Sequence, residues 1–236
     1  MAVKFDFVIK SAFVLRSDAV RRVWTILESA VGSVSATARC ADNARREFDS
    51  LSQLLAFDNA KAKEIRSLEL SARSTDFKRH GDVTFRDWSD PISVTLSAQE
   101  EGEISQAREE LRDAIDGTKA WYSSISRIDL VNVLFASLVL FWLVSNIALG
   151  DRSEPRRGVE LGRAVLLAAQ VLGFLGALGL FCWVLWRLHA RYFPRAFFAL
   201  GQGADRYQVD DNMRWVVIVG LVVSVFGSLV VAFVTG

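Results

Sequence analysis

Two histidines, two cysteines and scattered carboxylates are the groups in this 236-residue chain suited to proton transfer, nucleophilic attack or metal binding. Their spacing sets up none of those reactions. His80 stands before Gly81 in a turn-like stretch and His189 follows an apolar run. Neither has a Ser, Cys or Asp placed as nucleophile or orienting partner. Asp82, Asp87 and Asp90 fall where a hairpin turn is expected, and Glu100, Glu101 and Glu103 where a helix starts. Cys40 and Cys182 lie in segments of opposite character and make no metal-thiolate pattern. Gly201 and Gly203 are spaced as in a phosphate loop but lack its Lys-Ser/Thr and the preceding strand. Asp210 and Asp211 suit capping and turns as well as a cation. The chain reads as no enzyme, with no cofactor and no metal expected.

Binding chemistry is better organised than catalysis, and it depends on strands. Val3, Phe5, Phe7 and Ile9 alternate with Lys4, Asp6 and Lys10, the period of a half-buried strand. From Ser17, read as an N-cap, Val20, Val23, Trp24, Leu27 and Val31 recur at helical spacing until Gly32. Ser33–Cys40 alternates again, a short helix is expected at Leu51–Phe57, and Ile65–Arg73, Asp82–Trp88 and Ile92–Gln99 read as strands. Glu103–Ser126 has the apolar stripe of an amphipathic helix. The predicted domain, residues 1–128, is α+β: an antiparallel-rich sheet in two layers, with both long helices on one face. The order is similar to that of helix-grip and TATA-binding-protein-like domains, which implies nothing about function.

The face turned from the helices should then carry Ser33, Ser35, Thr37 and Arg39, followed by Ser67, Glu69, Ser71 and Arg73. Thr84, Arg86, Ser93, Thr95 and Ser97 complete it. Small hydroxyls leave room above the sheet and supply adjustable hydrogen bonds. Arg39, Arg73 and Arg86 are the expected anchors of an anionic group, with Glu69 and Thr95 beside them. The same residues also suit a strand face that meets only water.

Residues 129–236 differ in character. Leu130–Leu149, Ala164–Trp186 and Trp215–Val234 contain no Asp, Glu, Lys or Arg, and each has the ~20 residues a helix needs to cross a bilayer. Three transmembrane helices are therefore expected, forming an all-α membrane domain. Seven positive residues from Lys119 to Arg214 flank one side against four on the 150–163 turn. That bias puts the N-terminal domain in the cytoplasm and the C-terminus across the plasma (inner) membrane. Gly173, Gly176 and Gly179, and Gly220, Ser224 and Ser228, form small-residue stripes for helix packing, with Gln170 as an interhelical hydrogen bonder. Arg187, Arg191, Phe193, Arg195, Phe197 and Phe198 suggest an interfacial helix near 193–200, with Pro194 in its first turn.

Residues 1–128 carry a net charge of −1, so no nucleic-acid partner is expected. The expected partners are the lipid bilayer, further copies of the chain in a homo-oligomer, and an unidentified cytosolic ligand or protein. The expected function is a cytosolic sensing domain coupled to an oligomerising membrane domain, in signalling or as a membrane-permeabilising effector. In layout this resembles bacterial sensor-plus-membrane effectors, including those of phage defence. The alternative is a membrane anchor or assembly subunit that recruits a cytosolic partner.

Overall fold

Strict alternation at the N-terminus folds as strand β1 (Val3–Ile9), with Phe5, Phe7 and Ile9 packed on the core and Lys4, Asp6 and Val8 exposed. The computed structural model describes residues 3–88, 90–100, 102–127 and 179–235, with the single helical positions 132, 135, 136 and 176. After β1 come β2 (Phe13–Arg16), α1 (Ser17–Ala30), β3 (Ser33–Cys40), β4 (Arg45–Phe48) and α2 (Leu51–Ala56). Then follow β5 (Ile65–Arg73), β6 (His80–Arg86), β7 (Ile92–Ala98) and α3 (Gly102–Asp116). Much later in sequence, β8 (Ala196–Ala199) and α4 (Gln202–Thr235) close the first of two compact units, Met1–Ser124 with Pro194–Gly236.

The main sheet has six strands in the order β1-β7-β6-β5-β3-β4, every pair antiparallel. Alternation decides which side chains go inside. Ala36, Ala38, Leu68, Leu70, Val83, Phe85, Val94 and Leu96 are buried, while their neighbours along each strand are not. Helix α1 buries Ala19, Val20, Val23, Trp24 and Leu27, one stripe at helical spacing. Helix α3 brings Ile104, Leu111 and Ile115 into the same core. Each such side chain contributes roughly 1.5–3 kcal/mol by leaving water. Ser17 is the first residue of α1 rather than its cap; Arg16 holds the cap position without a side-chain bond. At the other end Gly32 has φ +139°, and a Cβ there would lie 2.8 Å from the Arg73 carbonyl oxygen. Only glycine fits that approach.

Three expectations require correction. The amphipathic helix does not run to Ser126. It stops at Asp116, where the Gly117 N–H bonds back to Asp113 (3.1 Å) and Thr118 Oγ1 to the Ile115 carbonyl (2.7 Å). No continuous rod therefore leads from α3 toward residue 130.

The segment near 193–200 is not an interfacial helix. It is β8, paired in parallel with β2, and Phe197 and Phe198 are only 8% and 5% exposed. The reason is core filling. Phe198 meets Phe13 edge-on at 5.7 Å, and the buried Asn59 amide donates to the carbonyls of Phe198 (2.9 Å) and Leu200 (3.2 Å). Asn59 Oδ1 in turn accepts from the Ile65 N–H at 2.9 Å, so one amide fastens β8 to the start of β5. Gly201 then turns the chain with φ +49°, its would-be Cβ 2.6 Å from the Asp58 carbonyl.

The expected membrane domain is also overturned. Among the described residues no helix is long and apolar enough to cross a membrane. The run 130–149 and most of 164–186 lie outside the described residues, apart from isolated positions and the helical stretch over 179–192. The third run is the continuation of α4, whose N-terminal part carries Asp205, Arg206, Asp210, Asp211 and Arg214 and is bound into the α+β unit. With the spans fall the three-helix part of the fold class, the inner-membrane placement with opposed termini, and the membrane sensor, effector and anchor functions built on it. The architecture that stands is α+β, with a six-stranded antiparallel sheet.

Candidate ligand-binding face

The strand register assembles the outward side chains into rows across the sheet. One row runs Lys4–Ser97–His80–Arg73–Ser33, the next Asp6–Thr95–Asp82–Ser71–Ser35. A third runs Val8–Ser93–Thr84–Glu69–Thr37–Glu47, and a fourth Arg86–Ser67–Arg39–Arg45. Arg39, Glu69, Arg73, Arg86 and Thr95 therefore share one surface, carried on the four strands β3, β5, β6 and β7, whose opposite sides are packed on the core.

These groups divide into those satisfied within the sheet and those left open. Thr95 Oγ1 donates to Asp6 at 2.7 Å and Lys4 Nζ pairs with the same carboxylate at 2.8 Å. Those two bonds, Lys4 first, hold the Asp6 carboxyl below its ordinary range. Arg86 reaches Ser93 Oγ at 3.4 Å, His80 Nε2 contacts Asp82, and Arg45 pairs with Glu47 at 3.4 Å. By contrast, Arg39, Glu69 and Arg73 make no side-chain hydrogen bond or ion pair among the described residues, and all three are exposed. The hydroxyls of Ser35, Thr37 and Ser71 are likewise uncommitted there.

A trough of about 600 Å³ runs along β3 between its neighbours. Its floor is Ser33, Ser35 and Thr37; Glu69, Ser71 and Arg73 wall one side, and Arg45, Glu47 and Asp49 the other. The small floor residues make the trough, since the flanking strands carry the long side chains. Such a surface can accept a polar ligand through hydroxyls and bind an anionic group through unspent guanidinium. It has no nucleophile–base pair with an oxyanion site, and among the described residues no three His, Cys, Asp or Glu converge as a metal site would require.

The other sequence-predicted residues do not join this face. A Cβ placed at Gly176, Gly179 or Gly220 would meet nothing within 4 Å, and Ser224 Oγ bonds back to the Gly220 carbonyl of its own helix at 2.8 Å. Gly173 and Gln170 lie outside the described residues, as does the Ser228 side chain. In the second unit, Ile125–Phe193, Arg187 lies over the Trp183 ring at 5.6 Å, Arg191 is exposed, and Phe193 packs on His189 at 5.6 Å. Arg195 is exposed, and its carbonyl accepts from the Phe13 N–H at 3.0 Å. Asp211 accepts from Trp121 Nε1 (2.9 Å) and Arg214 (3.2 Å).

Two features escaped the sequence. Arg214 is fully buried, its guanidinium 4.5 Å from the Tyr122 ring centre and 5.3 Å from that of Tyr207. Burial pushes the Tyr122 hydroxyl well above the ordinary phenol range, an effect the Arg214 charge offsets in part. The other is Phe77, 82% exposed at the β5–β6 hairpin tip. The only signal for it was an aromatic residue standing among turn formers and cations. No known protein family, curated protein or solved structure matches the chain.

Proposed function

We propose that this chain is a non-catalytic binding protein whose open sheet face captures a polar ligand bearing an anionic group. The observation that carries this reading is the set of unspent charges. Glu69 and Arg73 wall the hydroxyl-floored trough, Arg39 stands on the same face beyond its end, and none of the three makes an ion pair among the described residues. Lys4, Arg45 and Arg66 on the same unit are spent on carboxylates, whereas Glu69 and Arg73 wall a trough with their charges open. The arginines supply charge-assisted bonds, and Glu69 accepts from a ligand hydroxyl or ammonium. Rigidity favours capture, because a six-stranded sheet fixes the side-chain bases before the ligand arrives.

The test is a thermal-shift and calorimetry screen of the full chain against carboxylates, phosphate esters and acidic peptides. At least one class should raise the melting temperature. The doubly substituted Arg39→Ala, Arg73→Ala chain should bind it about 10–100-fold more weakly, the worth of one or two charged hydrogen bonds. Binding unaffected by the double substitution, or no stabilising anion of any class, discards the reading.

A further inference from the structure

The β5–β6 hairpin turns through Ser74–Arg79 on a closed set of bonds. Ser74 Oγ donates to Asp76 Oδ1 (2.6 Å), the Lys78 N–H donates to the same oxygen (3.2 Å), and the Arg79 N–H donates to Ser74 Oγ (3.0 Å). The Phe77 N–H donates to the Ser74 carbonyl at 3.0 Å. These bonds hold Phe77 at φ +57°, a backbone region that a bulky side chain rarely occupies. Nothing in the core draws it there: its ring is 82% exposed. The tip thus fixes an aromatic face in solvent rather than hiding it.

Two arginines and a histidine lie beside that ring. A hollow of about 290 Å³ is lined by Arg73, Phe77, Arg79 and His80. Arg79 is partly committed, donating to the Ala30 carbonyl at 2.9 Å, and His80 contacts Asp82. Arg73 is uncommitted among the described residues, and it also lines the trough on the sheet face. The hollow and the trough therefore meet at one free guanidinium.

We infer that this junction is a nucleotide site, with Phe77 as the platform for the base and Arg73 as the anchor of the phosphate. The inference rests on the binding role proposed for the sheet face, since Arg73 belongs to both. The chemistry is selective in three parts. An exposed ring face takes a flat π system. A free guanidinium takes a phosphate through two parallel bonds. The sugar then lies in the hollow between Phe77 and Arg73, and the trough beyond Arg73 offers the Ser35 and Ser71 hydroxyls to the outer phosphates. Inorganic phosphate leaves Phe77 without a role, and an uncharged aromatic leaves Arg73 without one; a nucleotide uses both. A polynucleotide would need a basic track, which residues 1–128, at net −1, do not provide.

The experiment is fluorescence anisotropy of N-methylanthraniloyl-ATP on the full chain, with unlabelled ATP, adenosine and inorganic triphosphate as competitors. Wild type and Phe77→Trp should bind alike, while Phe77→Ala and Arg73→Ala should each bind about 10–100-fold more weakly. Both positions are exposed, so unchanged melting temperatures verify that the fold is intact. ATP should compete better than either adenosine or triphosphate. Absence of binding to wild type, equal binding by Phe77→Ala, or triphosphate competing as well as ATP would each overturn the nucleotide assignment. If the labelled nucleotide fails while another anion binds wild type and not the Arg39→Ala, Arg73→Ala chain, the face is a binding surface for a different ligand. If both fail, both readings fall.

Discussion

Phe77 carries a backbone penalty that a glycine would not. Holding an L-residue in the left-handed region costs roughly 1–2 kcal/mol, and the φ of +57° at an exposed tip returns no burial. Phe77→Gly should therefore raise the melting temperature by several degrees while removing the base platform, so stability and nucleotide affinity should move in opposite directions. A second residue-scale prediction concerns acid. Arg46 bonds both oxygens of Asp42, at 3.0 and 2.5 Å, and holds its carboxyl down at about 2. A carboxyl whose folded pKa lies below its unfolded value stabilises the fold above that unfolded value and loses this as pH falls through the folded one. The window therefore runs from about pH 4 down to about 2. Melting curves of wild type and Asp42→Asn should converge at the bottom of it and separate above. Alternation along the strands made Arg39, Glu69, Arg73, Arg86 and Thr95 readable in sequence as one face. Phe77 was not readable, because a positive φ is set by the bonds of the surrounding turn and leaves no periodic trace.

At the scale of elements, length decided what was readable. Strands β1, β3, β5, β6 and β7 each run seven residues or more, enough to display a period of two. β2 and β4 have four residues each and show no period. The sequence of β8 also suits a helix, because Phe193, Phe197 and Leu200 fit a helical stripe and Pro194 fits a first turn. What makes it a strand is β2, some 180 positions earlier in the chain. Trp121, Tyr122 and Ile125 prolonged the stripe of α3 past Gly117, yet Trp121 stacks on Trp215 of α4 at 5.2 Å instead. That contact and the Arg214 cluster fasten α4 to the unit. Arg214 is fully buried between Tyr122 and Tyr207 with Asp211 at 3.2 Å, so Arg214→Ala opens a void there, leaves Asp211 only its Trp121 bond and should cost about 3 kcal/mol in chemical denaturation. Arg214→Met, which keeps the packing on Tyr122 and Tyr207, should cost less.

For the whole molecule, the first unit is assembled from two distant stretches of sequence, Met1–Ser124 and Pro194–Gly236. Severing the chain after residue 128 removes Phe198 and Leu200, both buried, and uncovers Phe13 and Leu15. Two such side chains are worth roughly 3–6 kcal/mol, comparable with the ~5–15 kcal/mol that holds a domain together. The 1–128 fragment should lose cooperative melting and near-ultraviolet dichroism, and a synthetic 194–214 peptide should restore them in part. The same closure sets a schedule during synthesis. A ribosome that has delivered the whole sheet still holds an unfinished fold, because the strand that covers β2 emerges some eighty residues after α3. Until then Phe13 and its neighbours face whatever surrounds the nascent chain, and that interval is when a chaperone would have most to hold.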